Sequence, residues 1–177
     1  MSWIYFSYDI AFIRVIVSDL SSLAPHVPTS EEVVRKMLEL AGLKQGENLY
    51  DLGSGDGRII IMAARDFGAN SVGVELREDL VQVTRKKIEE FGLKDRTRII
   101  HGDLVQADIK DADVVTLYLT TSANEKIVPK LEKELHPGAR LVSFCFRMPT
   151  WEPIKTLNLD TRTIYLYVLP IVKPTQN

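Results

Sequence analysis

A single cysteine, Cys145, is all the thiol chemistry that the 177 residues contain. That excludes an internal disulfide and fits a reducing, cytoplasmic setting. It argues against carbon-5 pyrimidine methylation as well, which needs a cysteine nucleophile. Cys145 lies in an apolar stretch with no proline before it, the usual place of a core cysteine. Three scattered histidines supply no metal-ligand spacing, so no metal is expected. Charge of one sign is missing too. A net charge of −2 creates no field that would draw the chain to nucleic acid or an anionic membrane, and neither is an expected partner. No apolar run is long enough for a membrane span: Trp3 to Val17 comes nearest, but Asp9 and Arg14 interrupt it. That stretch also lacks the basic start and small-residue cleavage site of a signal peptide. Packing on the domain or against a second copy is its expected role, ahead of peripheral membrane contact.

What remains is an ordinary globular composition, 45% hydrophobic and 26% charged, enough for one domain that buries roughly 70% of its unfolded surface. Its centre is Leu49 to Arg58, Leu-Tyr-Asp-Leu-Gly-Ser-Gly-Asp-Gly-Arg. Leu49 to Leu52 reads as a buried strand; Gly53, Gly55 and Gly57 form a turn onto a helix that begins near Arg58. Glycines allow a tight turn and close approach of main-chain N–H groups to a ligand, beside the positive end of a helix. The spacing is G-x-G-x-G, and Arg58 stands where a dinucleotide site has its third glycine. Asp51 and Asp56 crowd the turn, which suits a cationic ligand better than a pyrophosphate. S-adenosylmethionine, with a sulfonium and an ammonium but no phosphate, fits. Asp51 is placed for the ammonium, Glu75 at the end of the next strand for both ribose hydroxyls, and Asp103 after the third strand for the adenine amine. Thr29, Ser54, Leu76, Leu104 and Leu119 complete the candidate cofactor-binding set.

Order along the chain supports this arrangement. Residues 1–28 form an N-terminal extension and lead-in segment; 29–177 form the domain. Thr29 and Glu32 make a capping box for a helix that Gly42 ends. Ile59 to Phe67 and a segment starting at Asp79 are further helices. The second carries a basic run, Arg85-Lys86-Lys87, read as a solvated face. Val114 to Leu119 is an apolar strand broken only by Thr116. A helix containing Pro129 follows, then a strand from Arg140 to Phe146 and a hairpin from Ile154–Leu159 and Thr163–Leu169. Strand–helix alternation predicts an α/β, doubly wound Rossmann-like sheet with ligands at the strands' carboxyl ends.

Methyl donation from a sulfonium is an in-line displacement, so the acceptor type should be legible after the fourth strand. Amine-methylating nucleic-acid enzymes resemble Asn/Asp-Pro-Pro-Tyr there; this sequence has Tyr118-Leu119-Thr120-Thr121-Ser122-Ala123-Asn124. It has no acid cluster for a catechol-type metal either. Short loops leave little chain to enclose a small acceptor. An open site suits a protruding group on a macromolecule.

Pro25-His26-Val27-Pro28-Thr29, the glycine turn, Val114 to Leu119, Pro137 to Ser143, Phe146, Trp151 and Tyr165-Leu166-Tyr167 together resemble class I, seven-strand S-adenosylmethionine-dependent methyltransferases. Within that class they are most similar to the small archaeal protein-lysine methyltransferases and their mitochondrial relatives. The resemblance implies strand order 3-2-1-4-5-7-6 with the last strand antiparallel, and a protein-lysine acceptor of broad specificity. In that group a tyrosine usually stands where this chain has His26. Phe146, Trp151 and Tyr118 are candidates for the wall of an acceptor channel, since aromatic faces hold an ammonium stem. His26 and Asn124 are candidates for gating or hydrogen bonding. RNA or small-molecule methylation on the same fold, and a non-catalytic cofactor-binding module, stay open as alternatives.

Overall fold

Strand and helix alternate from the first described turn. The computed structural model describes residues 29–171, so His26, the lead-in segment and Trp3 to Val17 lie outside the described residues. Helix α1 (Glu31–Ala41) is followed by β1 (Asn48–Leu52), α2 (Arg58–Phe67), β2 (Asn70–Glu75), α3 (Glu78–Glu90) and β3 (Thr97–His101). After a long loop come β4 (Val114–Leu117), α4 (Thr121–Glu134), β5 (Arg140–Phe144), β6 (Lys155–Leu159) and β7 (Arg162–Val168). The seven strands form one sheet in the order β3-β2-β1-β4-β5-β7-β6, with β7 antiparallel to both neighbours.

Successive strand residues point to opposite faces, and the core divides accordingly. Leu49, Val114, Val142 and Phe144 face α1, α2 and α3, where Val34, Met37, Ile60 and Val81 meet them. Tyr50, Leu52, Val115, Leu117 and Leu141 face α4 through Ile127 and Leu131. Both faces of the central strands are therefore buried, which is why β1 and β4 read as nearly continuous apolar runs.

Local details depart from expectation at several ends. Ser30, not Thr29, caps α1, and its Oγ accepts from Val33 N–H at 3.3 Å. Thr29 is itself buried, and its carbonyl receives Arg58 Nη1. Helix α3 starts at Glu78 behind Arg77 rather than at Asp79. Pro129 lies inside α4, as expected, and its missing N–H forfeits one turn bond there. Strand β4 ends at Leu117 and β5 at Phe144, earlier than their apolar runs. Residues 145–154 then reach the hairpin with no helix between β5 and β6. That leaves the α4 side of the hairpin open near the strands' carboxyl ends.

Candidate functional site

The glycine turn, Glu75 and Leu119 meet because β1 lies between β2 and β4, with Leu52 in register with Val74 and Leu117. Gly53 (φ 87°), Gly55 (φ 56°) and Gly57 (φ 78°) are all left-handed, the conformation that only glycine adopts freely. Space is as limiting as conformation. A Cβ on Gly53 would come within 3.1 Å of Leu119 Cδ2, and one on Gly57 within 2.4 Å of Thr84 Cγ2.

Four amides of this turn are engaged within the fold. Gly53 and Ser54 N–H both donate to Val74 O, at 2.9 and 3.0 Å, and Gly57 N–H donates to Ser54 O. Gly55 N–H donates to Glu75 Oε2 at 2.8 Å. The turn's contribution is thus its close approach and the carboxylate it fixes. Glu75, 8% exposed, also accepts from Arg77 N–H at Oε1, 2.9 Å away. Two amides hold its plane, and one lone pair of each oxygen is left for a pair of hydroxyls.

Asp51 is 2% exposed and accepts a hydrogen bond from Thr116 Oγ1 at 2.7 Å. Burial raises its pKa from 3.8 to about 6; Thr116 and Ser54 oppose that rise, while the charges of Glu75 and Asp56 add to it. Ser54 Oγ, beside it, is buried without a hydrogen-bond partner. A buried carboxylate with no cation of its own among the described residues and an orphan hydroxyl next to it fit an ammonium-bearing ligand. Thr116, which sequence reasoning left without a role, had a visible signal as the polar break in an apolar strand.

Asp56 proves to be structural. It accepts from Arg58 Nε and Nη2 at 2.8 Å and from Lys87 Nζ at 3.0 Å. Burial opposes this, yet the two cations hold its carboxyl far below the usual range. Its charge is spent on tying α2, α3 and, through Arg58, the Thr29 carbonyl together, so the crowding of acids at the turn reduces to Asp51 and Glu75. Asp103 stands exposed two residues beyond β3; its Oδ1 accepts Val105 N–H at 2.9 Å. Leu104 and Leu119 are buried beside this rim and Leu76 is half-buried.

The acceptor-side candidates separate. A cleft of about 490 Å³ opens where the helix after β5 is missing, lined by Thr121, Cys145, Phe146, Arg147, Trp151 and Tyr165, with Met148, Pro149 and Glu152. Phe146 is 36% exposed there. Trp151 reaches the cleft but is 1% exposed, set edge-on to Tyr167 at 5.8 Å with Nε1 donating to Glu132. Packing is its main task. Tyr118 is not among the lining residues; it is half-buried on the α1 side against Phe144, ring centroids 4.9 Å apart. Asn124 is fully buried behind the cleft wall. Cys145 is not a core strand residue: it follows β5 with φ 66°, half-buried, on the cleft surface. Its apolar neighbours in sequence concealed that the strand had already ended.

The model of the ANTKMT methyltransferase domain matches residues 51–155, more than half of the chain. The chain belongs to that family. It is accordingly an S-adenosylmethionine-dependent methyltransferase of the class I fold. Within this family's reach, a protein of Saccharolobus islandicus named protein-lysine N-methyltransferase is 45% identical, over 82% of this chain and 93% of that protein. The adenine nucleotide translocase lysine N-methyltransferase of Mus musculus is 32% identical, over 81% of this chain and 62% of that protein. A solved structure from Salinibacter ruber, described as an RNA methyltransferase in complex with S-adenosylhomocysteine, is 47% identical. It superposes with a TM-score of 0.81, covering 85% of this chain and 98% of that one.

Proposed function

We propose that this methyltransferase acts on lysine side chains of proteins and accepts a broad range of them. The observation that carries the reading is the open, partly aromatic cleft beside the end of β4, with no segment among the described residues that would close it over a small acceptor. The names of the archaeal and mouse relatives support the same acceptor. A reducing, cytoplasmic setting goes with the single free thiol, Cys145.

Bound S-adenosylmethionine supplies an electrophilic methyl group on a sulfonium. Asp51 would hold its ammonium, Glu75 its ribose and Asp103 its adenine amine. Phe146 and Tyr165 would flank the lysine stem, which gains from aromatic faces while it is still charged. A lysine amine, with a pKa of about 10.4 in water, must lose its proton before it attacks. Desolvation in the cleft and a nearby sulfonium both favour the neutral amine. Deprotonation through water then needs no dedicated base.

A second reading is RNA methylation, favoured by the description of the Salinibacter ruber structure. Against it stands the state of the basic run on α3. Arg85 lies 3.7 Å from Glu78, Lys86 3.7 Å from Glu90, and Lys87 is turned inward to Asp56. Methyl-labelled donor offered with separate pools of protein and RNA decides between them. Label on lysine is the expected result; label confined to RNA would reverse the assignment.

A further inference from the structure

Two buried side-chain polar atoms among the described residues have no hydrogen-bond partner, Ser54 Oγ and Asn124 Oδ1. Ser54 belongs to the cofactor turn. Asn124 stands elsewhere, fully buried on α4 next to Ala123 and one turn before Ile127 in an apolar stripe. An apolar side chain of similar size would fit that stripe without leaving a buried acceptor unpaired, which costs stability. What an apolar residue could not supply is a donor. Asn124 Nδ2 donates to Phe146 O at 3.2 Å, and Ser143 Oγ donates to the same carbonyl. Farther along the loop, Met148 N–H donates to Tyr167 Oη at 2.9 Å. The cleft wall from Cys145 to Trp151 is therefore pinned from β5, α4 and β7, although it contains no regular structure. Its first residue, Cys145, holds a left-handed backbone that a free loop would seldom keep.

We propose that Asn124 is a positioning residue for methyl transfer: its Nδ2 holds the Phe146 carbonyl and thereby sets the Phe146 ring at the wall of the acceptor cleft. This rests on the reading of that cleft as the acceptor site. Asn124 does not touch the reacting atoms; it acts through Phe146. The buried oxygen left over on its amide is the cost of placing a donor inside an apolar stripe.

Two variants test this. Asn124→Leu removes the amide and with it the orphan oxygen; Asn124→Asp keeps the size and an oxygen but loses the donor. Both are expected to bind S-adenosylhomocysteine within about twofold of the native protein, yet to lose about tenfold or more in turnover on protein lysine, the scale of effect that misplacing a contact produces. The Tm of Asn124→Leu should not fall. Cys145, the chain's only cysteine, adjoins Phe146 in the cleft, so its rate of reaction with a small disulfide reagent should change in both variants. Native turnover in either variant would overturn the proposal. So would a loss of turnover in Asn124→Leu matched by a lower Tm and weaker cofactor binding, which is the pattern of a packing residue. Should the native protein methylate no lysine, the functional reading fails, and thiol reactivity then decides: unchanged Cys145 rates in both variants overturn the positioning role on their own.

Discussion

Thr116 Oγ1 lies 2.7 Å from Asp51 Oδ1, across the parallel pair in which Asp51 and Thr116 stand in register. The Thr116 hydroxyl donates to that buried carboxylate, and the Ser54 hydroxyl beside it also opposes the rise in its pKa. These hydroxyls do not offset full burial, and the pKa of Asp51 accordingly stands at about 6. Asp51 is thus a cost to the fold at neutral pH and a ready partner for a cation. That opposition makes its role measurable.

Asp51→Asn should separate stability from binding. The folded pKa of about 6 exceeds the unfolded value of 3.8. The native state therefore holds the proton more tightly. Its contribution to stability is full below about 3.8 and is lost as pH rises to about 6. Above that, the ionised group destabilises the fold by roughly 2–3 kcal/mol. No such charge cost attaches to a neutral amide at position 51. At pH 7.5 the Asp51→Asn variant should melt several degrees higher, and near pH 4 the difference should vanish. Its affinity for S-adenosylmethionine should fall by about 1–3 kcal/mol through loss of a charged hydrogen bond. Calorimetric melting at the two pH values, with titration of the ligand, checks both halves.

Cofactor affinity should itself depend on pH. An ammonium is received only by the carboxylate, so binding should be flat above about pH 7 and weaken below about 6, by up to about tenfold per pH unit. Asp51→Asn should remove the slope. A slope that survives the substitution would assign the titration to another group.

Gly57→Ala should unfold the turn. The new methyl would meet Thr84 Cγ2 at 2.4 Å, on a backbone held at φ 78°. A loss of roughly 2 kcal/mol or more is expected, since both overpacking and a left-handed residue are penalised. Adding Thr84→Ala relieves the contact but not the backbone, so recovery in denaturant titrations should be partial.

Phe146 and Trp151 should part company when truncated. Phe146→Ala removes a side chain 36% exposed in the cleft; the fold and cofactor affinity should stay near native while methyl transfer falls. Trp151→Ala empties a site 1% exposed and unpairs the Tyr167 edge contact. A destabilisation of about 3–5 kcal/mol is the usual result for a core aromatic. Urea midpoints measured beside turnover distinguish the two.

The strand order was implied by the resemblance to class I methyltransferases; legible from the residues themselves were the element order, the doubly wound α/β class and the placement of Asp51, Glu75 and Asp103 towards successive strand ends. Those depend on local signals: apolar periodicity, glycine spacing and the rule that ligands sit at carboxyl ends of parallel strands. Tertiary structure alone decided where charges and side chains point. Asp56 looked like a ligand group until Arg58 and Lys87, one from the next helix and one from the helix beyond, neutralised it. Tyr118 and Phe146 were both candidates for the channel wall until packing separated them, Tyr118 against the core and Phe146 in the cleft, and Cys145 looked buried until β5 ended one residue before it. Each of these outcomes turns on where a side chain or a strand end lies in space, even for Arg58 two residues from Asp56, and no period or spacing encodes a partner's direction of approach.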